Sequence, residues 1–349
     1  MVTIKEIAKA VGVSPATVSR VLNYDPALSI SPIKRQAIIE TAESLNYETP
    51  RNRNKAIGQA AAPSLLTKLV IVHFLEPSDE IADPYYVGVR LGIENRCRDL
   101  RTEIAKVFHS DAMPEEGLLS EASGVIVIGK HSDNEVAWLR QHARHVVFAD
   151  FDPRDDTLDS VFADMELATR KILDALKSAG YDRIGFIGSH ENLNGAVQQF
   201  AERRCAAYID WQRKNGSFDS DLLALADCSS GQSLRLDTGY RLALDLLALV
   251  DRPDVIVTSN DNMAIGAYRA IQEQALVIPD DIAIISYNDI PVAQFLTPPL
   301  TTVKIHGEHI GETAVDLLLE RLSGRDYGKQ VRIATELVWR GSCRKPLES

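Results

Sequence analysis

The sequence predicts two fold classes in one chain: an all-α unit of helix-turn-helix layout, then α/β, two lobes each built on a doubly wound parallel sheet. Three observations carry this. The chain has 349 residues, more than a single core of ordinary size takes up. Its first 48 residues hold three short helical patterns, each with its own start signal. From residue 67 onward, apolar strand-like runs alternate with longer stretches of helical periodicity, the pattern of βαβ units. The domain boundaries therefore read as 1–48, a linker at 49–66, and 67–349. Apolar residues at 45% and charged residues at 25% are ordinary for a mixed α/β protein. No apolar leader and no run long enough to span a membrane stands out, so the expected location is the cytoplasm. Cys97, Cys205, Cys228 and Cys343 form no C-x-x-C, which argues against a disulfide framework or a cysteine zinc site.

The first helix starts at Thr3-Ile4-Lys5-Glu6, a capping box, and Ile4, Ile7, Ala8 and Val11 share one face. Gly12 ends it. Ser14 caps the second helix, whose first position is Pro15, where the missing amide hydrogen costs nothing; Val18, Val21 and Leu22 form its inner face. Ser31-Pro32 repeats the device, and Ile33, Ala37, Ile38, Ala42 and Leu45 give the third helix its stripe. A helix, a tight glycine turn and a second helix that starts with small and hydroxylated residues is the layout of a DNA-reading unit. Charge points the same way. Residues 1–55 hold eight Lys/Arg against five acids, a net +3, so the rest of the chain carries −14 and repels a phosphate backbone. Pro15, Ala16 and Arg20 are expected to face the major groove. Arg20 can fork onto a guanine edge or grip phosphate, while Thr17, Ser19 and the helix-start amides suit phosphate oxygens. Spacing alone leaves a helical interaction unit with a solvated arginine as the alternative.

The run Ile4-Lys5-Glu6-Ile7-Ala8, Val11-Gly12-Val13-Ser14, Ala16-Thr17-Val18-Ser19-Arg20-Val21-Leu22-Asn23, with Leu45-Asn46-Tyr47, resembles the headpiece signature of the lactose/galactose repressor family of transcriptional regulators. That resemblance implies DNA contacts from Thr3, Ser14, Pro15, Ala16, Thr17, Ser19, Arg20 and Asn23. It also implies a hinge helix whose leucine wedges into the minor groove and bends the operator. Here Asn54-Lys55-Ala56-Ile57 stands where the leucine is expected, so Lys55 and either Ala56 or Ile57 are the candidates, unless no wedge exists.

In the large unit, strands are expected at 69–75, 125–129, 146–149, 183–187, 255–258 and 282–287, and helices at 85–99, 166–179, 202–214, 238–250 and 262–274. Ligands of such sheets lie outside the carboxyl ends of the strands. Several strand-end loops resemble the family's effector domain, itself similar to bilobed periplasmic sugar-binding proteins: Asp83-Pro84-Tyr85-Tyr86, Asp150, Arg204-Cys205-Ala206-Ala207-Tyr208, Ser259-Asn260-Asp261-Asn262 and Ser286-Tyr287-Asn288-Asp289. Pro298-Pro299-Leu300-Thr301-Thr302-Val303 is similar to the segment that crosses back between lobes. The implied effector residues are Tyr85, Asp150, Arg204, Asn260 and Asn288. Arg204 can bridge adjacent sugar hydroxyls, Asp150 accepts, both asparagines donate and accept, and Tyr85 or Tyr86 can stack on a ring.

Catalytic, cofactor and metal readings carry less. Asp150, Asp152, Asp155 and Asp156 read as a solvated acidic loop rather than a glycosidase pair. Gly185-Phe186-Ile187-Gly188-Ser189-His190 matches neither G-x-G-x-x-G nor G-x-S-x-G, and His306-Gly307-Glu308-His309 lacks zinc spacing. The expectation is a non-enzymatic repressor of a sugar-utilisation operon, working as a homodimer on double-stranded operator DNA and without cofactor. Within the family the closest resemblance is to galactose-operon repressors and the evolved β-galactosidase repressor, which implies a galactoside inducer. A purine is disfavoured by the lack of a repeated aromatic platform, and a phosphorylated sugar by few basic residues near the strand ends. Another sugar, a protein corepressor, or activation in place of repression are the alternatives.

Overall fold

The computed structural model describes residues 4–22, 30–44, 68–109, 114–193, 196–198, 202–226 and 235–346. The chain divides into two compact units, 1–63 and 64–349. The small unit packs α1 (Ile4–Val11), α2 (Pro15–Leu22) and α3 (Pro32–Ser44) around Ile7, Val18, Val21 and Ile38, all excluded from solvent. Its turn is built as the caps require. Gly12 takes φ +69, a left-handed conformation that favours glycine, and the Ser14 hydroxyl accepts from the Thr17 amide at 3.1 Å ahead of Pro15. Thr3, Asn23, Lys55, Ala56, Ile57 and the whole hinge lie outside the described residues.

The large unit holds two six-stranded sheets. Lobe A is entirely parallel, in the order β13-β5-β4-β3-β1-β2, with β1 at Lys68–His73, β2 at Glu103–Phe108, β3 at Gly124–Ile128, β4 at Val146–Ala149, β5 at Asp159–Ala163 and β13 at Gln330–Ile333. Lobe B runs β14-β12-β11-β10-β6-β9, with β6 at Ile184–Ser189, β9 at Leu223–Ala226, β10 at Val255–Thr258, β11 at Ala283–Asn288, β12 at Thr301–Lys304 and β14 at Glu336–Val338, the last antiparallel. Strands such as β3 and β10 are buried at every position, which is why they read as unbroken apolar runs. A hairpin of β7 (Glu191–Leu193) and β8 (Ala196–Gln198) follows β6.

Flanking helices are α4 (Pro77–Ile81), α5 (Pro84–Leu100), α6 (Glu116–Glu121), α7 (Asp133–His142), α8 (Met165–Ser178), α9 (Arg203–Lys214), α10 (Leu236–Leu247), α11 (Asp261–Glu273) and α12 (Gly307–Leu322). Each lobe has one backbone-close helix pair that only glycine permits. A Cβ on Gly92 of α5 would lie 2.0 Å from the Glu308 carbonyl oxygen of α12, and one on Gly266 of α11 1.9 Å from the Leu236 carbonyl oxygen of α10. The chain passes between lobes after β5, after β12 and after β13. The segment 298–303, expected to make the return crossing, instead leads into β12 inside lobe B, and the crossing follows at Ile305-His306. Ser342, in the polar tail, is buried and ties that tail to lobe B, donating to the Ile284 carbonyl at 2.6 Å and accepting from the Thr301 amide at 2.7 Å. Cys97, Cys205 and Cys343 are free thiols. Among the described residues no helix is long and apolar enough to cross a membrane.

Candidate functional site

On the small unit, Pro15, Ala16 and Arg20 are exposed along α2 while Val18 and Val21 face inward. Ser14 and Thr17 hydroxyls share a hydrogen bond of 2.8 Å. The cap thus already engages both the hydroxyl and the amide of Thr17.

In the large unit, a cleft of about 390 Å³ opens where the carboxyl ends of the two sheets meet. Tyr85, Asp150, Arg204, Asn260 and Asn288 all line it. Asp83 caps α5 by accepting from the Tyr85 amide at 3.1 Å; burial first, with the Asp150 charge adding, pushes its carboxyl up to about 6. Asp150 ends β4 in the left-handed region at φ 60, and its carboxyl, raised chiefly by burial, faces the hydroxyls of Tyr85 and Tyr86. Tyr85 does not offer a flat stacking face: its ring is packed against α12 beside Gly307, meeting Tyr86 edge-to-face at 70°. Tyr86 is the half-buried ring of the pair.

Arg204 enters from the first turn of α9. Its Nε donates to Glu202 Oε1 at 2.9 Å, its Nη1 donates to the Ser259 carbonyl, and its guanidinium lies over the Tyr287 ring. Glu202 caps the same helix, accepting from the Arg204 and Cys205 amides at 3.1 Å each. Burial opposes its charge, but Arg204, Lys130 and the Cys205 amide hold its carboxyl below the usual range. Asn260 caps α11, its Oδ1 accepting from the Met263 amide at 2.9 Å, and the residue lines the cleft. Asn288 closes β11 at φ 109, a conformation that turns the chain so that its side chain lines the cleft.

Two ion pairs join the lobes at the cleft: Lys130 Nζ to Glu191 Oε2 at 2.6 Å, and Arg203 Nη2 to Asp152 Oδ2 at 3.1 Å. Lys130, Glu191, Glu202 and Arg203 were not anticipated from the sequence. Lys130 was the most accessible, standing just past an expected strand end; Glu202 has the signal of a helix cap. The acidic loop is not uniformly solvated, since Asp150 and Asp152 turn into the cleft while Asp155 pairs with Arg140. The purine and phosphate arguments also change. Tyr85, Tyr86, Phe151 and Phe162 give the cleft four aromatic rings, so a purine is disfavoured only by the edge-on setting of Tyr85 against Tyr86. Four basic residues line it as well, but three are neutralised by Glu191, Asp152 and Glu202, which leaves little for a phosphate. His306 precedes α12, and no group of three metal-ligating side chains occurs among the described residues.

Residues 3–50 match the family described as bacterial regulatory proteins, lacI family, and residues 173–343 match a periplasmic binding protein-like domain. The chain is 37% identical over 344 residues to the HTH-type transcriptional repressor MelR of Bacillus subtilis (strain 168), with 98% of each chain covered. It is 66% identical over 113 residues to the lactose operon repressor of Rhizobium radiobacter, a match spanning 32% of this chain and 100% of that protein. Among solved structures, the complex of the transcriptional regulator CelR with cellobiose is similar in fold, with TM-score 0.67 at 22% identity and 98% and 100% of the two chains covered.

Proposed function

As a member of the lacI family of bacterial regulatory proteins, the chain is a DNA-binding, sugar-responsive transcriptional repressor, and we propose that its inducer is a galactoside that releases a homodimer from double-stranded operator DNA. The observation that carries the proposal is the cleft. Its polar groups, Asp83 and Asp150 on lobe A and Arg204, Asn260 and Asn288 on lobe B, converge on one space and offer the mixed donors and acceptors that sugar hydroxyls need. At about 390 Å³ it is roomy for more than one sugar ring. The likeness to a lactose operon repressor supports the galactoside reading. Pro15, Ala16 and Arg20 are the groove-facing side chains in this proposal.

The sugar must bind the released state more tightly than the operator-bound one, because only that difference moves the equilibrium. A coupling of about 1–3 kcal/mol weakens operator binding some 5- to 150-fold. The test is a thermal-shift panel of sugars on the full chain, followed by operator titration with and without the hit. Stabilisation and release by lactose or galactose support the galactoside; release by an unrelated sugar alone removes it and leaves the repressor standing. Arg20→Ala should weaken operator binding, with a shallower salt dependence or a relaxed base preference.

A further inference from the structure

A second pocket lies on the opposite edge of lobe A from the cleft. The parallel register Leu69 with Gly124, Val125 with Val146, and Val147 with Asp159 places the amino ends of β1, β3, β4 and β5 together on that edge. There a hollow of about 160 Å³ is lined by Arg140, Arg144, His145, Thr157 and Arg321 and by apolar neighbours, with no carboxylate in its wall. In a region of the chain that carries −14, three arginines around a carboxylate-free hollow run against the prevailing charge.

The carboxylate partners of Arg140 and Arg321 are not among the residues that line the hollow. Arg140 reaches out to Asp155 at 2.9 Å on the exposed side. Arg321 and Arg325 both hold the buried Asp159, and Arg325 also pairs with Glu320 at 2.9 Å. No ion pair to Arg144 occurs among the described residues. His145 lines the same hollow; burial first, then the Arg144 and Arg321 charges, lower its pKa, with Asp159 pulling the other way. Converging guanidiniums are the recognition device for phosphate oxygens, to which they donate in pairs.

We propose that this pocket binds a phosphate group, presented either as a free phosphate compound or by a nucleic-acid backbone. Bound phosphate supplies the negative charge that Arg144 lacks.

The test uses the full chain and the double variant Arg140→Ala/Arg144→Ala, which spares Arg321 and the buried Asp159 it holds. Inorganic phosphate is compared with chloride at equal ionic strength by thermal shift, and the His145 imidazole is titrated by NMR. For a free phosphate, the expected result is phosphate-specific stabilisation and an upward move of the His145 midpoint, both lost in the double variant while the sugar response persists. For a backbone phosphate, the log–log salt slope of operator binding in chloride falls by about 0.9 per lost phosphate contact. Should the double variant fold poorly, Arg144→Gln makes the same comparison without breaking any ion pair. Indistinguishable phosphate and chloride responses together with an unchanged salt slope overturn the proposal.

Discussion

Helix α5 carries two glycines one turn apart whose replacement by alanine is expected to act with opposite signs. At Gly88 an added Cβ meets only the Glu308 Cγ at 3.9 Å, an ordinary van der Waals distance. Gly88→Ala therefore gains the helix propensity of alanine, about 0.5–1 kcal/mol, with nothing set against it. At Gly92 the same methyl meets the Glu308 carbonyl oxygen at 2.0 Å and its Cα at 2.8 Å, all backbone atoms that no rotamer change can clear. Helices α5 and α12 must then separate along their length, and overpacking of this kind costs about 1–3 kcal/mol, which outweighs the propensity gain. Urea unfolding of the full chain, followed by circular dichroism with the slope m checked for constancy, measures both. Stabilisation by Gly88→Ala and destabilisation by Gly92→Ala are expected. Equal effects of the same sign would show that the helix pair is not in backbone contact at Glu308.

Arg204→Ala should cost about 3–5 kcal/mol besides abolishing the sugar response, because it leaves the Glu202 carboxylate buried without its cation. A variant as stable as the parent would show that the ion pair does not hold the start of α9. Ile7→Ala empties the centre of the small core and should cost that unit about 2–5 kcal/mol, with operator binding lost. The sugar-induced thermal shift should survive, and its loss would contradict the independence of the two units. Burial raises the Asp261 carboxyl to about 7 while it accepts from the Ile290 amide and the Thr302 hydroxyl. The native state therefore holds the extra proton between about pH 4 and pH 7, and this group's contribution to stability falls as pH rises through that window. Asp261→Asn removes the dependence, so the variant should lose least relative to the parent above pH 7; a pH-independent difference would contradict the assignment.

What the sequence disclosed follows from how local each signal is. The start of α2 was legible because Ser14 and Pro15 act within one turn of themselves. β3 and β10 were legible because a strand covered on both faces must be apolar throughout. β2 was not, since as an edge strand it alternates Glu103, Lys106 and half-exposed neighbours with little apolar run. β13 and β14 are short edge strands of the same kind. Arg204 and Asp150 were reached through the resemblance of their loops to the family's effector domain, whereas Lys130 and Glu191 acquire their roles from each other, 61 positions apart, which no local pattern reports. The packing of Tyr85 was out of reach for the same reason: its ring lies against Gly307, more than two hundred positions away.

The placement of β13 and β14 sets the order in which this molecule can be finished during synthesis. The core of the small unit is complete once its third helix emerges, since among the described residues nothing later in the chain enters it. Both large sheets, by contrast, wait for their outermost strands until residues 330–338 have been made, although β1 and β6 were synthesised long before. A nascent chain therefore carries a folded amino-terminal unit ahead of two sheets that each still present an open edge, and any premature stop before residue 330 leaves both edges bare at once.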